Sequence, residues 1–363
     1  MKTIIKNVMI FDGTKPEKAR DIVFAENILD DLSADGSTEI IDGTGCTILP
    51  GLIDSHIHLN SIDNLKQAAL YGVTTMLDMM TDDAALVDSL RHQKGLPDIQ
   101  SCYQPVISEP GQMLIASLGQ VSSFVNTPKE AREHIKTQLE KGADYVKLIL
   151  ENPPLVTQML SEDIVAETVR YSHEMGKKVF AHTTSVQAYQ LAAEHGVDVL
   201  NHIPKETALL QEIISEIKEK DLTVIPTMLM QQGMVKAIHR MMPGRPADYS
   251  IVEKTFYRMY KAGIRIIAGT DSNMTNRMNF IPHGKAMHEE LKLMVKAGMT
   301  PEEVLKSATS IPAETFNLKD RGNIKPGFRA DLLLVRGNPA ENINDIDHIE
   351  KIWINGMPVQ LTA

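Results

Sequence analysis

The sequence predicts an α/β fold: a (β/α)8 TIM-like barrel joined to a small β-sandwich domain that is built from both termini. Eight short apolar segments recur along residues 51–321, helical patterns alternate with them, and both ends of the chain contain strand-like segments and turns. Strands that alternate with helices form parallel sheets, and eight of them are enough to close a barrel. We therefore predict a barrel over residues 51–321 and a β domain from residues 1–50 plus 322–363.

The predicted barrel strands share one local pattern. A helical pattern ends at a glycine, which suits the left-handed end of a helix, then a short apolar run follows and a polar residue closes it. The first strand follows the turn at Pro50 and Gly51 and ends in His56 and His58. The other seven lie within residues 70–78, 98–103, 141–147, 174–182, 194–202, 222–227 and 262–271, and the pattern is weaker in 98–103 and 222–227.

Helix start signals precede several of the segments between these strands. Residues 127–141 begin with Thr127, a good N-cap, and with Pro128 at the first helical position. Residues 161–175 begin with Ser161 and an acidic first turn, and Thr300 with Pro301 opens another helix. In a barrel of this kind the chemistry lies at the C-terminal ends of the strands.

The two ends of the chain do not follow this alternation of strands and helices. Residues 4–10, 330–335 and 351–356 are apolar, strand-like segments separated by turns. Two unrelated tails would leave such strands with unpaired edges. We therefore expect both ends to combine into one small β domain beside the barrel.

Composition excludes several classes of protein. The net charge of −10 comes without a basic stripe, which argues against a nucleic-acid binder. Two cysteines, Cys46 and Cys102, form no disulfide framework and have no metal-type spacing. The N-terminus is too polar for a signal peptide, and no apolar run reaches the roughly 20 residues of a membrane helix. We expect a cytoplasmic protein with a small-molecule substrate, no nucleic-acid partner and no membrane contact.

Five polar residues at predicted strand ends are the candidate site. His56 and His58 lie two apart on one strand, so their side chains share a face, as metal ligands would. His182, His202 and Asp271 close three other strands. Each alone has an ordinary explanation, such as a core histidine or a helix N-cap. Their recurrence at strand ends predicts a common metal site.

Lys147 is the sixth candidate, because it lies inside the apolar run of residues 145–150. An unpaired ammonium buried there costs several kcal/mol. Desolvation favours the neutral amine, and carboxylation by carbon dioxide would turn it into an anionic carbamate able to bridge two metal ions. The remaining histidines at helical or loop positions are predicted to be surface residues: His92, His134, His173, His195, His239 and His348.

These motifs resemble the amidohydrolase superfamily, in its cytosolic branch of imidazolonepropionase-like and prolidase-like enzymes with a carboxylated lysine. The resemblance runs along almost the whole chain. The matching segments are residues 50–58, 142–147, 181–182, 201–202, 268–271, 298–309 and 322–332.

The resemblance implies a binuclear metal centre. His56, His58 and Asp271 would hold the more buried of two divalent ions. His182 and His202 would hold the more exposed one. The ligand types favour Zn²⁺, with Mn²⁺, Co²⁺ and Fe²⁺ as alternatives.

The resemblance also implies a mechanism. Carboxylated Lys147 and a hydroxide would bridge the ions, and that hydroxide would attack a carbonyl carbon. Asp271 would take the proton from it and pass it to the leaving group. The expected reaction is cleavage of an amide C–N bond in a small dipeptide-like or cyclic-amide substrate.

Three alternatives remain at this stage. A lactonase or ester hydrolase would use the same centre. A deaminase fits less well, since deaminases of this superfamily usually use one metal ion and lack the lysine. The alternative that is not an enzyme is a catalytically silent metal-binding scaffold.

The chain departs from its relatives in loops that border the predicted pocket. Residues 151–154 replace a glycine-rich stretch, and Asn201 replaces the glutamate common before His202, which puts dipeptide specificity in doubt. The loop after Asp271 offers His283 and His288 as substrate contacts, and a helix-surface position beside Glu289 and Glu290 is the equally weighted alternative for His288. Residues 228–246 are rich in methionine, which suits an adaptable apolar lid or ordinary packing. Relatives commonly assemble, so a homo-oligomer is possible, although the sequence itself does not indicate the oligomeric state.

Overall fold

The computed structural model describes residues 2–29, 37–81, 83–111, 123–152, 155–274 and 279–361. The predicted loop departure at Pro153 and Pro154 lies outside these residues. The described strands are β1 Thr3–Phe11, β2 Pro16–Phe24, β3 Ile28–Leu29, β4 Glu39–Asp42, β5 Cys46–Pro50, β6 Leu52–Ile57, β7 Val73–Asp78, β8 Asp98–Ser101, β9 Val146–Leu150, β10 Val179–Thr183, β11 Val199–Asn201, β12 Thr223–Ile225, β13 Arg265–Ile266, β14 Leu332–Arg336, β15 Ile349–Ile354 and β16 Met357–Pro358.

Helices alternate with the strands from β6 onward. They are α1 Ile62–Ala69, α2 Ala84–Leu90, α3 Pro128–Glu140, α4 Glu162–Glu174, α5 Val186–Glu194, α6 Gln211–Glu219, α7 Met228–Met241, α8 Tyr249–Lys261, α9 Lys285–Lys296, α10 Pro301–Ser307 and α11 Ser310–Thr315, followed by a short 3₁₀ helix, Ile343–Asp347. Thr127 and Thr300 accept backbone N–H bonds and cap α3 and α10 as predicted. Ser161 instead donates its hydroxyl to Asp163 and accepts no capping bond.

Strands β6 to β13 are the eight predicted barrel strands, and they pair in parallel in two sheets. One sheet has the order β13-β12-β11-β10-β9 and the other β6-β7-β8. Hydrogen bonds cross both gaps between them: Val106 N donates to Lys147 O at 2.8 Å, and Ser55 N donates to Ala268 O at 3.1 Å. Alternating helices and parallel strands fit the predicted TIM-barrel-like α/β fold.

Strands from both ends of the chain share a third sheet. Its order is β16-β15-β14-β5-β1-β2-β3, with β4 also paired to β1. Antiparallel pairing of β14 with β5, for example Leu333 opposite Leu49, joins the C-terminal strands to the N-terminal ones. Trp353 packs edge-on against Phe24 in the core, with ring centroids 5.1 Å apart. This pairing forms one sheet, so the second layer of the predicted sandwich stays a prediction.

Burial corrects one surface prediction. His134, on α3, is buried. Its ring nitrogens lie 3.0 Å from the Ser123 hydroxyl and 3.2 Å from the carbonyl oxygen of Gln104. The charged neighbours that suggested exposure occupy the other faces of the helix. Among the described residues, no helix has both the length and the apolar character to cross a membrane.

Candidate metal centre

The C-terminal ends of four barrel strands bring the predicted polar residues together. His56 lies on β6, His182 on β10, His202 directly after β11, and Asp271 after β13. The ring centroids of His56 and His202 are 4.9 Å apart, and those of His182 and His202 are 4.4 Å apart. Three imidazoles this close form a donor cluster of the kind that binds transition metals.

His56, His58 and Asp271 form the tightest part of the cluster. The Asp271 Oδ1 atom lies 2.9 Å from His58 Nε2 and 3.5 Å from His56 Nε2. One ligand atom from each of the three residues lies within 4.8 Å of the other two, which is compact enough to hold a metal ion. The opposite ring nitrogens are engaged, His56 Nδ1 at 3.0 Å from Asn201 Oδ1 and His58 Nδ1 at 3.3 Å from the Met80 carbonyl oxygen. Such outer contacts fix the orientation of metal-binding imidazoles.

His182 and His202 complete the donor set. His202 Nδ1 lies 2.8 Å from the Thr227 hydroxyl, which leaves Nε2 for a ligand. Burial, together with the neighbouring His182, lowers the pKa of His202 well below its ordinary value. The neutral imidazole is the form that coordinates metals.

Left-handed backbone sets the direction of two of these side chains. The φ angle is 76° at His202 and 60° at Asp271. Residues other than glycine rarely adopt this region of backbone angles, and those that do concentrate at functional sites. Asp54 braces the same region, because its carboxylate accepts bonds from the backbone and the hydroxyl of Thr270 at 3.0 and 2.7 Å.

Lys147 lies on β9 with 2% of its surface exposed. Its Nζ atom has no hydrogen-bond partner in the described part of the chain. Burial lowers its pKa to about 7, although Cys102 and Asp271 act in the opposite direction. A buried amine without a partner beside a donor cluster fits a carbamate ligand better than a permanent ammonium.

Glu151 is a site residue that the sequence reasoning missed. Its buried carboxylate accepts bonds from the Thr184 hydroxyl at 2.6 Å and the Asn152 backbone N–H at 2.9 Å, and it lies 2.9 Å from His182 Nε2. Burial alone would raise its pKa, but the bonds from His182 and Thr184 outweigh burial and lower the pKa to about 2. His182 is therefore left with Nδ1 for a ligand. The available signal was a glutamate placed directly after the apolar β9 strand.

A pocket of about 140 Å³ opens over this cluster. Its wall combines the six predicted site residues with further polar groups and a broad apolar surface. The other described lining residues are Met79, Met80, Ile107, Ile149, Glu151, Leu155, Thr184, Lys205, Met230, Met234 and Asn273.

Comparison with known proteins identifies the family. The model of the Amidohydrolase family matches residues 47–359. The chain belongs to the amidohydrolase family. The predicted resemblance to imidazolonepropionase-like and prolidase-like members of this superfamily is confirmed.

Individual relatives of this amidohydrolase are distant. An imidazolonepropionase from Alkaliphilus metalliredigens is 25% identical over 96% of this chain and 90% of its own length. An adenine deaminase from Bacillus licheniformis is 23% identical over 98% of this chain. The chain spans only 57% of that deaminase. The solved structure of a Xaa-Pro dipeptidase with bound methionine matches with a TM-score of 0.82 at 21% identity, covering 99% of both chains, which shows a shared fold.

The structure places His288, the second predicted substrate contact, away from the described wall of the pocket. This residue of the amidohydrolase chain is buried on α9, and it is not among the described residues that line the pocket. Its Nε2 lies 2.9 Å from the Tyr71 carbonyl oxygen and its Nδ1 2.9 Å from Asp347 Oδ1. Both nitrogens face acceptors and are unavailable to a substrate.

His283 stays a predicted substrate contact. It is buried, and neither ring nitrogen has a hydrogen-bond partner among the described residues. Burial and the nearby His58 lower its pKa to about 4. It is thus a neutral, unpartnered ring beside the donor cluster, although it is not one of the described residues that line the pocket.

Proposed function

We propose that this amidohydrolase is a metal-dependent enzyme that cleaves an amide C–N bond in a small dipeptide-like or cyclic-amide substrate. The observation that carries the proposal is the convergence of six residues on one pocket: His56, His58, Lys147, His182, His202 and Asp271. A catalytically silent scaffold gives no reason for Lys147 to be buried beside this cluster without a partner among the described residues.

The donor chemistry fits two divalent metal ions. His56, His58 and Asp271 would hold one ion, and His182 with His202 the other. Imidazole nitrogen and carboxylate oxygen favour zinc in such a set. Ions bound there would make hydroxide available at neutral pH and polarise a substrate carbonyl.

Lys147 would supply the bridging anion after reaction with carbon dioxide. The lone pair of the neutral Nζ forms a nitrogen–carbon bond, one carbon–oxygen π bond becomes an oxygen lone pair, and Nζ releases one proton. The product is a carbamate, whose negative charge suits a metal centre where an ammonium would not. The absence of a hydrogen-bond partner for Nζ among the described residues supports this role.

Asp271 is the proposed proton carrier. Its Oδ1 lies within 3.5 Å of both His56 and His58, so it is held at the centre of the cluster. The carboxylate would accept the proton released by the attacking water and return it to the leaving nitrogen. The apolar residues of the pocket wall would exclude other water during this transfer.

The finer fold assignment is also proposed here. We infer that β6 to β13 act as one closed barrel, because backbone hydrogen bonds link β6 to the segment after β13, and link the segment after β8 to β9. Closure would hold the strand ends, and thus the donor cluster, in a fixed arrangement.

A deaminase is the second candidate. Adenine deaminases at 23% identity align with 98% of this chain, which is the observation that favours it. The buried Lys147 favours the amide hydrolase. An ester or lactone hydrolase would use the same groups and remains the alternative within hydrolysis.

Turnover of a substrate panel tests the proposal. Dipeptides, cyclic amides, lactones and adenine are incubated with the zinc-loaded protein and with Asp271→Asn. We expect an amide or dipeptide to be hydrolysed, and the substitution to lower kcat at least about a hundredfold by removing the proton carrier. Ammonia release from adenine without amide cleavage would favour the deaminase. Lack of turnover of every compound would contradict an enzymatic role.

A further inference from the structure

Lys205 is a buried cation in the pocket wall that the proposed chemistry does not use. It lies in the loop after β11, lines the pocket, and has only 9% of its surface exposed. The backbone N–H of Asp248 donates to the Lys205 carbonyl oxygen at 2.8 Å. Because Asp248 caps α8, this bond ties the loop to the start of that helix.

The ammonium of Lys205 has no direct partner within the described residues, since it forms no ion pair within 4.0 Å and no hydrogen bond there. Burial lowers the pKa of Lys205, while the charges of Glu151 and Glu206 act in the opposite direction. The nearest carboxylates have other partners: Glu151 is bound by His182 and Thr184, and Glu206 accepts from Arg245 Nε at 3.0 Å. A buried charge without a partner is costly, so a cation retained in a pocket is suited to an incoming anion.

The rest of the pocket wall outside the donor cluster is mostly apolar. Met230 and Met234 project from α7, and unbranched methionine adapts to side chains of varied shape. Ile107, Ile149 and Leu155 continue this apolar surface. A ligand that is complementary to the whole pocket therefore combines one negative charge with an apolar group.

We propose that Lys205 binds a carboxylate of the substrate while the methionine wall holds an apolar side chain. This inference rests on the proposed amide hydrolysis and narrows it to N-acylated apolar amino acids and dipeptides with a free carboxylate. A single carboxylate matches one lysine. A phosphate dianion would need further donors, and the only other lysine on the described wall, Lys147, is assigned to the carbamate.

Matched acid and amide substrates test this assignment. The pairs are N-acetylleucine with N-acetylleucinamide, and leucyl-leucine with leucyl-leucinamide. We expect kcat/KM to favour each acid by about tenfold to a hundredfold, mainly through KM, because a charge-assisted hydrogen bond is lost in the amide. Lys205→Met should remove most of this preference and Lys205→Arg should restore part of it. Lys254→Met, on the exposed face of α8, should keep the preference.

Binding separates failure of this inference from failure of the proposed function. Calorimetry measures N-acetylleucine and its amide with zinc-loaded and with chelator-treated protein. Tighter binding of the acid that persists without metal and is lost in Lys205→Met supports the carboxylate site, even if no compound is turned over. The carboxylate site would be overturned if the protein turned over or bound the acid and the amide equally well and Lys205→Met did the same. Amide hydrolysis would still stand in that case.

Discussion

At the scale of single residues, Lys147 distinguishes a two-metal hydrolase from other arrangements of the same histidines. The donor cluster alone would serve many metal enzymes. A buried amine with no described partner at its edge is a more specific feature, and it supports the proposed carbamate.

Replacing Lys147 with alanine is therefore expected to lower activity about a hundredfold or more, because the bridging anion is lost. Short carboxylic acids such as formate or propionate should restore part of it by filling the vacated space with an anion. The measurement is kcat with and without the acid. Lys178→Ala, at an exposed position next to β10, is the matched control and should behave like the parent. Full activity of Lys147→Ala would rule out the carbamate.

Residues at strand ends could be predicted, whereas residues that depend on loop conformation could not. His56 and Asp271 follow from the strand pattern, because the ends of parallel strands meet at one face. Glu151 and Lys205 gain their roles from contacts made across loops, which no local pattern encodes. The contacts of His288 could not be predicted either, because its acceptors, including Asp347, are far away in sequence.

At the scale of elements, the start of α7 depends on the side-chain carboxyl group of a residue on another helix. Glu290, on α9, is buried and accepts the backbone N–H groups of Met228 and Leu229, each at 2.7 Å. These are orphan donors of the first turn, since Thr227 at the N-cap makes no side-chain capping bond. Because Met230 directly follows Leu229 in the first turn of α7, this cap also positions the apolar wall of the pocket.

Glu290→Ala is expected to lower the free energy of unfolding by about 2–3 kcal/mol, since two buried N–H groups lose their acceptor. Urea unfolding followed by circular dichroism measures it. Glu290→Gln keeps one good acceptor and should lose less. Glu289→Ala, the partly exposed neighbour, should change stability by less than about 0.5 kcal/mol. Equal effects of Glu289→Ala and Glu290→Ala would contradict the capping role.

Elements were easier to predict than their ends. The eight barrel strands and the caps at Thr127 and Thr300 follow from apolar runs and local start signals. The cap of α7 does not, because its acceptor comes from Glu290, 62 residues away from Met228. Ser161 fails as a side-chain cap for a local reason, because its hydroxyl donates to Asp163, two residues further along the chain.

At the scale of the whole molecule, a small polar cluster connects the C-terminal part of the chain to helix α9. Asp347, in the 3₁₀ helix, pairs with His288 at 2.9 Å and with Lys292 at 2.5 Å, both on α9. Hydrogen bonds from His288 and Lys292 hold the pKa of Asp347 below its usual range, although partial burial opposes this.

Asp347 should therefore contribute stability that depends on pH in a defined direction. A carboxyl group with a lowered pKa in the folded state stabilises the protein above its unfolded pKa of about 4 and loses that contribution as the pH falls toward the folded value. We expect Asp347→Asn to be less stable than the parent at pH 7, with the difference shrinking below about pH 4. Urea midpoints from pH 3 to 7 measure it, with exposed Glu341→Gln as control. A difference that grows as the pH falls would contradict this account.

The joining of the two chain ends could be predicted from the need to pair apolar strands, as β5 and β14 do. The layering of that sheet and the contact between Asp347 and α9 could not, since both depend on how separately formed units pack. Substrate specificity could not be predicted for the same reason, because residues from most of the barrel strands and from the loops that follow them form the pocket wall.

The most direct test of the central claim is the metal content of the purified protein. Elemental analysis after dialysis against buffer containing zinc and bicarbonate should find about two equivalents of metal per chain, because the donor set divides between two ions. Lys147→Ala should retain fewer, whereas Lys178→Ala should match the parent. No bound metal, or one tightly held equivalent that is unchanged in Lys147→Ala, would contradict a two-metal centre bridged by this lysine.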